Sequence, residues 1–172
     1  DNEDNLIQEI SFNLNTRIKE DIDFRIQTYK EDLFTSAQSK REHGEFVHHL
    51  LAKIVDIDYY RLNHFRLTQS ATSETSDLLA RVMDNLAIQQ YFRPGELLFA
   101  ERDILCPDGE IIRPDRVILQ NGNTLIIDFK TGKIDPKHKL QLEKYKNRLI
   151  EIGYNQVKAV LIYIENQYVE EI

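Results

Sequence analysis

Two β-branched runs, Ile111–Leu119 and Thr124–Lys130, flank Gln120-Asn121-Gly122-Asn123. Asn-Gly between such runs is a strong hairpin signal, because a tight two-residue turn needs positive φ at both central residues. A hairpin of this kind constrains more than local structure. With Asn121-Gly122 as an even-length turn, Gln120 faces Asn123. Counting outward, Asp115 then faces Asp128, with Cβ atoms about 5 Å apart on one face. An odd-length loop would put the two aspartates on opposite faces. Lys130 lies two residues beyond Asp128 and shares its face. Directly opposed carboxylates repel. A bound divalent cation, a shared proton or the nearby lysine could offset that repulsion.

The rest of the chain divides at Pro94-Gly95. Before it the pattern is helical. Asn5–Ser39 has helical spacing, with Ile18, Ile22, Ile26 and Leu33 as candidate buried positions. A second helix is expected from near Gly44, with Phe46, Val47, Leu50, Leu51, Ile54 and Val55 as its apolar stripe. Asp56–Ser76 is polar and joins shorter helices. Ser76 is the expected cap of the next one, which buries Leu78, Leu79, Val82, Met83 and Leu86. After the break, Leu97–Ala100 reads as strand, running on toward Ile104, and Pro107-Asp108-Gly109 as a turn. Asp135-Pro136 is an N-cap followed by proline at the first helical position, and Gly153 ends that helix near Ile152. Val157–Ile164 reads as a central strand and Tyr168–Ile172 as an edge strand. The expected fold is α/β: an N-terminal helical region, a three-strand meander, a right-handed crossover helix and a further strand in one mixed sheet.

A chain of 172 residues is expected to be one domain, 1–172, with a mainly helical part over 1–95 and an α/β part over 96–172. Hydrophobic residues make up 41% and charged residues 30%, which argues against disorder. No apolar run approaches the roughly 20 residues of a membrane span, and residues 1–10 lack the pattern of a signal peptide. The chain is expected to be a fragment of a longer one, since its only methionine is Met83. A lone cysteine, Cys106, forms no internal disulfide and fits a reducing, cytoplasmic setting. The net charge of −7 argues against a uniformly basic nucleic-acid binder. The charge is uneven, however. From Lys130 to Arg148, Lys133, Lys137, Lys139, Lys144 and Lys146 stand against Asp135 and Glu143 alone. That stretch is either a local basic face or a solvated helix surface.

Facing carboxylates are hard-oxygen donors suited to Mg²⁺ or Mn²⁺. A cation there would activate water and offset phosphate charge, with Lys130 orienting the water or stabilising the transition state. Spacing alone also permits a plain exposed Asp–Asp–Lys patch.

Four motifs narrow the choice. RPDRV at Arg113–Val117 and IIDFKTGK at Ile126–Lys133 resemble the central motifs of the PD-(D/E)XK nuclease superfamily, in particular its RecB-like branch. GEFVH at Gly44–His48 resembles that branch's G-x-x-x-H, and QLEKY at Gln141–Tyr145 its Q-x-x-x-Y. Glu101 sits where the branch often has a glutamate before the first aspartate. The resemblance covers roughly residues 36–164 and is most similar to the C-terminal nuclease domains of UvrD/AddA-type helicase–nucleases.

It implies a restriction-endonuclease-like core. His48, Asp115, Asp128 and the Phe129 carbonyl would be metal ligands, Lys130 the catalytic lysine, and Gln141, Tyr145 and Glu101 further active-site residues. It implies Mg²⁺ or Mn²⁺ as cofactor, DNA as substrate, exonucleolytic action, a helicase domain in the same polypeptide and a possible partner subunit. Some relatives carry a four-cysteine iron–sulfur cluster, which Cys106 alone excludes. Glu45 stands where relatives often have Thr or a small residue. The competing expectation is a catalytically inactive nuclease-fold module that binds DNA or scaffolds a helicase. A plain interaction domain is a third.

Overall fold

Asn121 and Gly122 have φ of 50° and 80°, the double positive φ of a type I′ turn, in the computed structural model, which describes residues 36–172. Strand β4 (Arg116–Gln120) pairs antiparallel with β5 (Asn123–Lys130), with Gln120 opposite Asn123 and Arg116 opposite Ile127. The even-length register expected from the sequence is therefore the one formed. β1 (Leu97–Ala100) pairs with the other edge of β4. Helix α5 (Pro136–Glu151) then crosses over to β6 (Val157–Tyr163), which runs parallel to β5, and β7 (Tyr168–Glu171) closes the far edge. The result is an α/β fold with a mixed five-stranded sheet in the order β1-β4-β5-β6-β7. Asp135 caps α5 by accepting the Lys137 N–H at 2.9 Å, and Gly153 at φ 100° ends it.

Several expectations are corrected. Leu97 does not continue in strand to Ile104, and Ile111–Leu119 is not one strand. Glu101 turns the chain at φ 46°. β2 (Ile104–Leu105) and β3 (Ile111–Ile112) instead form a separate small hairpin around Asp108-Gly109. The helix carrying His48 does not start near Gly44: α1 (Ser36–Lys53) is already helical at the first described residue. Val55 falls beyond it and is exposed. α2 (Ile57–Thr68) is capped by Asp56. α3 (Ser73–Asp84) is capped by Thr72 rather than Ser76, because the buried Thr75 turns inward and Thr72 Oγ1 accepts its N–H. Leu86 opens a short separate helix, α4 (Leu86–Gln89), and is exposed. The helical spacing read over residues 5–35 lies outside the described residues.

The sheet is covered on both faces. Ile118, Ile127, Phe129, Val160 and Ile162 pack toward α1–α4, with Leu50, Leu51, Ile54, Val82, Met83 and Phe92. Val117, Ile126, Ala159 and Leu161 pack toward Leu142 and Leu149 of α5. This alternation is the period-two signature of strands buried on two sides.

The joint between the helical layer and the sheet is a charge. Arg116, the first residue of β4, is 1% exposed. Its Nη1 donates to the carbonyls of Ile54 at 2.6 Å and Leu51 at 3.4 Å, and its Nη2 to that of Val55 at 2.9 Å. These carbonyls lie at or just beyond the C-terminal end of α1, where a cation complements the unsatisfied C=O groups. The guanidinium carbon sits 4.3 Å from the centre of the Phe92 ring. Burial lowers its pKa to about 10, against the raising influence of Glu96 and Asp56, so it stays charged at neutral pH. Arg116→Met should destabilise the fold by about 3 kcal/mol in urea titration, since three carbonyls lose their donor. Arg116→Lys should recover only part, because an ammonium cannot fork across them.

Candidate functional site

α1 lies on one face of the sheet and α5 on the other. They come closest to each other's chemistry where β4 begins and β5 ends. Gly44 explains how α1 can approach. A Cβ there would stand 2.6 Å from Thr131 Oγ1, so a larger residue would force the Thr131 side chain or the helix to shift. Mid-helix glycine costs about 1 kcal/mol relative to alanine, and close approach is the physical reason to tolerate it. His48 follows one turn later on the same side.

His48 Nδ1 is 3.3 Å from Asp115 Oδ1. Of the neighbouring histidines, His43 has its Nδ1 3.5 Å from Thr75 Oγ1, and burial and then Lys53 lower the His49 pKa. His48 also sets its ring edge against Phe129, at 6.3 Å and 85° between planes. Phe129 in turn stacks on Phe92 at 6.2 Å. The contacts from Arg116 through Phe92 and Phe129 thus reach His48.

Asp115 precedes β4 by one residue. Its Oδ2 accepts the Phe129 N–H at 2.6 Å, and its own carbonyl accepts the Glu101 N–H at 2.9 Å. The register accounts for this. The next residue opposite Phe129 would be Pro114, which has no N–H, and no rung follows Arg116↔Ile127. The Asp115 carboxylate takes the Phe129 N–H instead. A strand residue's N–H and C=O leave by the same edge, so the Phe129 carbonyl also faces the β4 side, with no ladder donor from Pro114.

Asp128 is 4% exposed. Its Oδ2 lies 2.5 Å from Lys130 Nζ, an ion pair without the angles of a hydrogen bond. Oδ2 is buried and has no hydrogen-bond partner. Lys130 Nζ donates to Gln141 Oε1 at 2.9 Å, and Gln141 Nε2 donates to Tyr145 Oη at 2.9 Å. Gln141 and Tyr145 are one turn apart on α5. His48 with Asp115, and Asp128 with Lys130, Gln141 and Tyr145, are therefore brought to one place. Glu101 touches it through its backbone alone. Its side chain is exposed, and the charge it acts on is Arg113.

The electrostatics follow from burial. Desolvation first, then Asp115, pushes Asp128 up to about 6, while Lys130 and His48 pull it down. Burial alone would lower His48, but the Asp115 hydrogen bond and the charges of Asp115 and Asp128 outweigh it and raise its pKa. The lysine thus offsets the facing carboxylates, joined by a proton on Asp128 as pH falls through about 6. Among the described residues no three His, Cys, Asp or Glu side chains stand together as a metal cage. The donors are hard oxygens all the same, the kind a divalent cation takes, although Asp128 Oδ2 already faces the Lys130 ammonium. Of the basic stretch, Lys144 pairs with Glu110, and Arg148 with Asp108, Glu110 and Glu151. These charges tie α5 to the β2–β3 hairpin. Among the described residues no helix is long and apolar enough to cross a membrane.

No protein-family model matches the chain, and no curated protein does. Among solved structures, the crystal structure of SSO0001 aligns over 96% of this chain and 77% of its own, at 18% identity and a TM-score of 0.31. A superposition that loose carries nothing about fold or function.

The raised pKa values have a fixed sign. Between the ordinary carboxylate range and about 6, the folded protein holds a proton at Asp128 that the unfolded chain has released, so stability falls as pH rises through this window. His48 adds in the same sense: its contribution is full below the unfolded pKa and is lost as pH rises through the raised one. In EDTA, the Tm of Asp128→Asn relative to wild type should rise from pH 4 to pH 7, on the order of 2 kcal/mol in stability. A difference that does not change with pH would contradict the buried-carboxylate account.

Proposed function

We propose that this chain is a metal-dependent DNA nuclease of the PD-(D/E)XK type, RecB-like branch, with a restriction-endonuclease-like core. It would hydrolyse phosphodiesters, exonucleolytically, beside a helicase domain of the same polypeptide and with a possible partner subunit. The observation that carries this reading is the continuous set of contacts at one end of the β4–β5 hairpin. His48 meets Asp115, Asp115 holds the Phe129 backbone, and Asp128 pairs with a lysine held by Gln141 and Tyr145.

Asp115, Asp128, the Phe129 carbonyl and His48 are the groups that would hold Mg²⁺ or Mn²⁺. Bound there, a divalent cation would lower the pKa of a water and offset phosphate charge. Lys130 Nζ, 2.5 Å from Asp128 and 2.9 Å from Gln141, is positioned to donate to a phosphate oxygen or to orient the attacking water. Gln141 and Asp128 together fix the ammonium, and Tyr145 accepts from the Gln141 amide so that its oxygen faces the lysine. Asp115 orients His48 and the end of β5 at once.

Linear single- and double-stranded DNA should be cut in Mg²⁺ or Mn²⁺. Lys130→Ala and Asp115→Asn should each lower kcat by at least about 100-fold. Asn at 115 retains an acceptor for the Phe129 N–H, so the fold should survive. Cleavage undiminished in both variants sinks the assignment. DNA binding without cleavage in any divalent metal would identify the inactive module instead.

A further inference from the structure

Beside Lys130 lies an open cleft of about 680 Å³. His48 and Lys130 line it, together with Lys133, Ile134, Pro136 and His138 from the segment that leads into α5. The motifs account for the first two residues. They do not account for His138, which stands three residues before Gln141 on the same face of α5.

His138 is held in one state. Its Nδ1 is 3.2 Å from Tyr163 Oη, and the two rings lie 5.7 Å apart. Tyr163 is 1% exposed and fixed on β6. A phenol is the stronger donor and an imidazole nitrogen the stronger acceptor, so Tyr163 donates to Nδ1 and the ring proton stands on Nε2. Burial and then Lys130 lower the His138 pKa, against Asp135, so the ring is neutral at pH 7. The result is an uncharged N–H donor, fixed in tautomer and orientation, in a cleft that also carries two lysines. The Asp135 carboxylate borders the same cleft but is engaged as the cap of α5.

We propose that His138 is a substrate-binding residue whose Nε2–H donates to a non-bridging oxygen of the phosphodiester flanking the one at Lys130. Lys133 supplies longer-range charge. The proposal rests on the nuclease reading and names which strand atoms lie beyond the reacting bond. A neutral donor to an anionic oxygen makes a strong hydrogen bond and adds no counterion release, whereas a lysine does.

The test is fluorescence anisotropy of a short fluorescein-labelled oligothymidylate with the full chain in EDTA, using His138→Asn and His138→Gln. Asn places its amide where Nδ1 was and keeps a partner for Tyr163, but loses the Nε2 donor. Gln places its amide near Nε2. Asn should weaken binding about tenfold with an unchanged salt slope, and Gln should stay within about twofold. Lys133→Ala should instead reduce the salt slope by about one. A merely structural histidine predicts the reverse order, with Asn rescued and Gln impaired, and that result overturns the proposal. So does wild-type affinity in both variants while the wild type cleaves DNA. A wild type that neither binds the oligonucleotide nor cleaves DNA brings down the nuclease reading, and this inference with it.

Discussion

A guanidinium with 1% exposure is costly to desolvate, and this fold places one at the seam between its helical layer and its sheet. The cost is offset because Arg116 satisfies three carbonyls near the end of α1 and stacks on Phe92. Asp115 is its chain neighbour. Where α1 ends relative to β4 thus also determines where His48 stands relative to Asp115. The ring contacts from Phe92 to Phe129 to His48 reinforce the same geometry from the other side. A small displacement of the guanidinium would be felt at the carboxylates without any change to the residues that bear the chemistry.

The site itself is electrostatically frustrated. Two carboxylates face each other at the end of a hairpin, one of them almost wholly buried. The Lys130 ammonium and the His48–Asp115 contact share the burden, with a proton on Asp128 joining them as pH falls through about 6. Each of these groups is pulled away from its ordinary titration range, or held by a neighbour that is.

Much of this geometry was legible from the chain. Asn121-Gly122 dictated the turn, the turn dictated the register, and the register put Asp115 opposite Asp128. Asp135-Pro136 marked the start of α5 one turn before Gln141. Other features were not legible, for physical reasons. Nothing in the local sequence announces that Arg116 is buried, and the nearby carbonyls of Leu51, Ile54 and Val55 explain it. In Ser70-Ala71-Thr72-Ser73-Glu74-Thr75-Ser76 several residues could cap a helix, and the inward packing of Thr75 decided for Thr72. Glu101 adopts φ 46°, a conformation uncommon for a non-glycine residue, and nothing in its local sequence announces it. Its turn splits what reads as one continuous strand. His138 carries no local sequence signal, and only its contact with Tyr163 on β6 distinguishes it.

Pro114 has a consequence for how this site could be altered. The Phe129 carbonyl is main chain, so no side-chain exchange at position 129 can delete it. The residue that governs it is Pro114, whose missing N–H stops the β4–β5 ladder one rung short. Any other amino acid at 114 would restore a donor and let the ladder extend. The hairpin would then gain a hydrogen bond while the carbonyl lost its availability. At this position, greater sheet order and an open main-chain acceptor are competing outcomes of the same substitution.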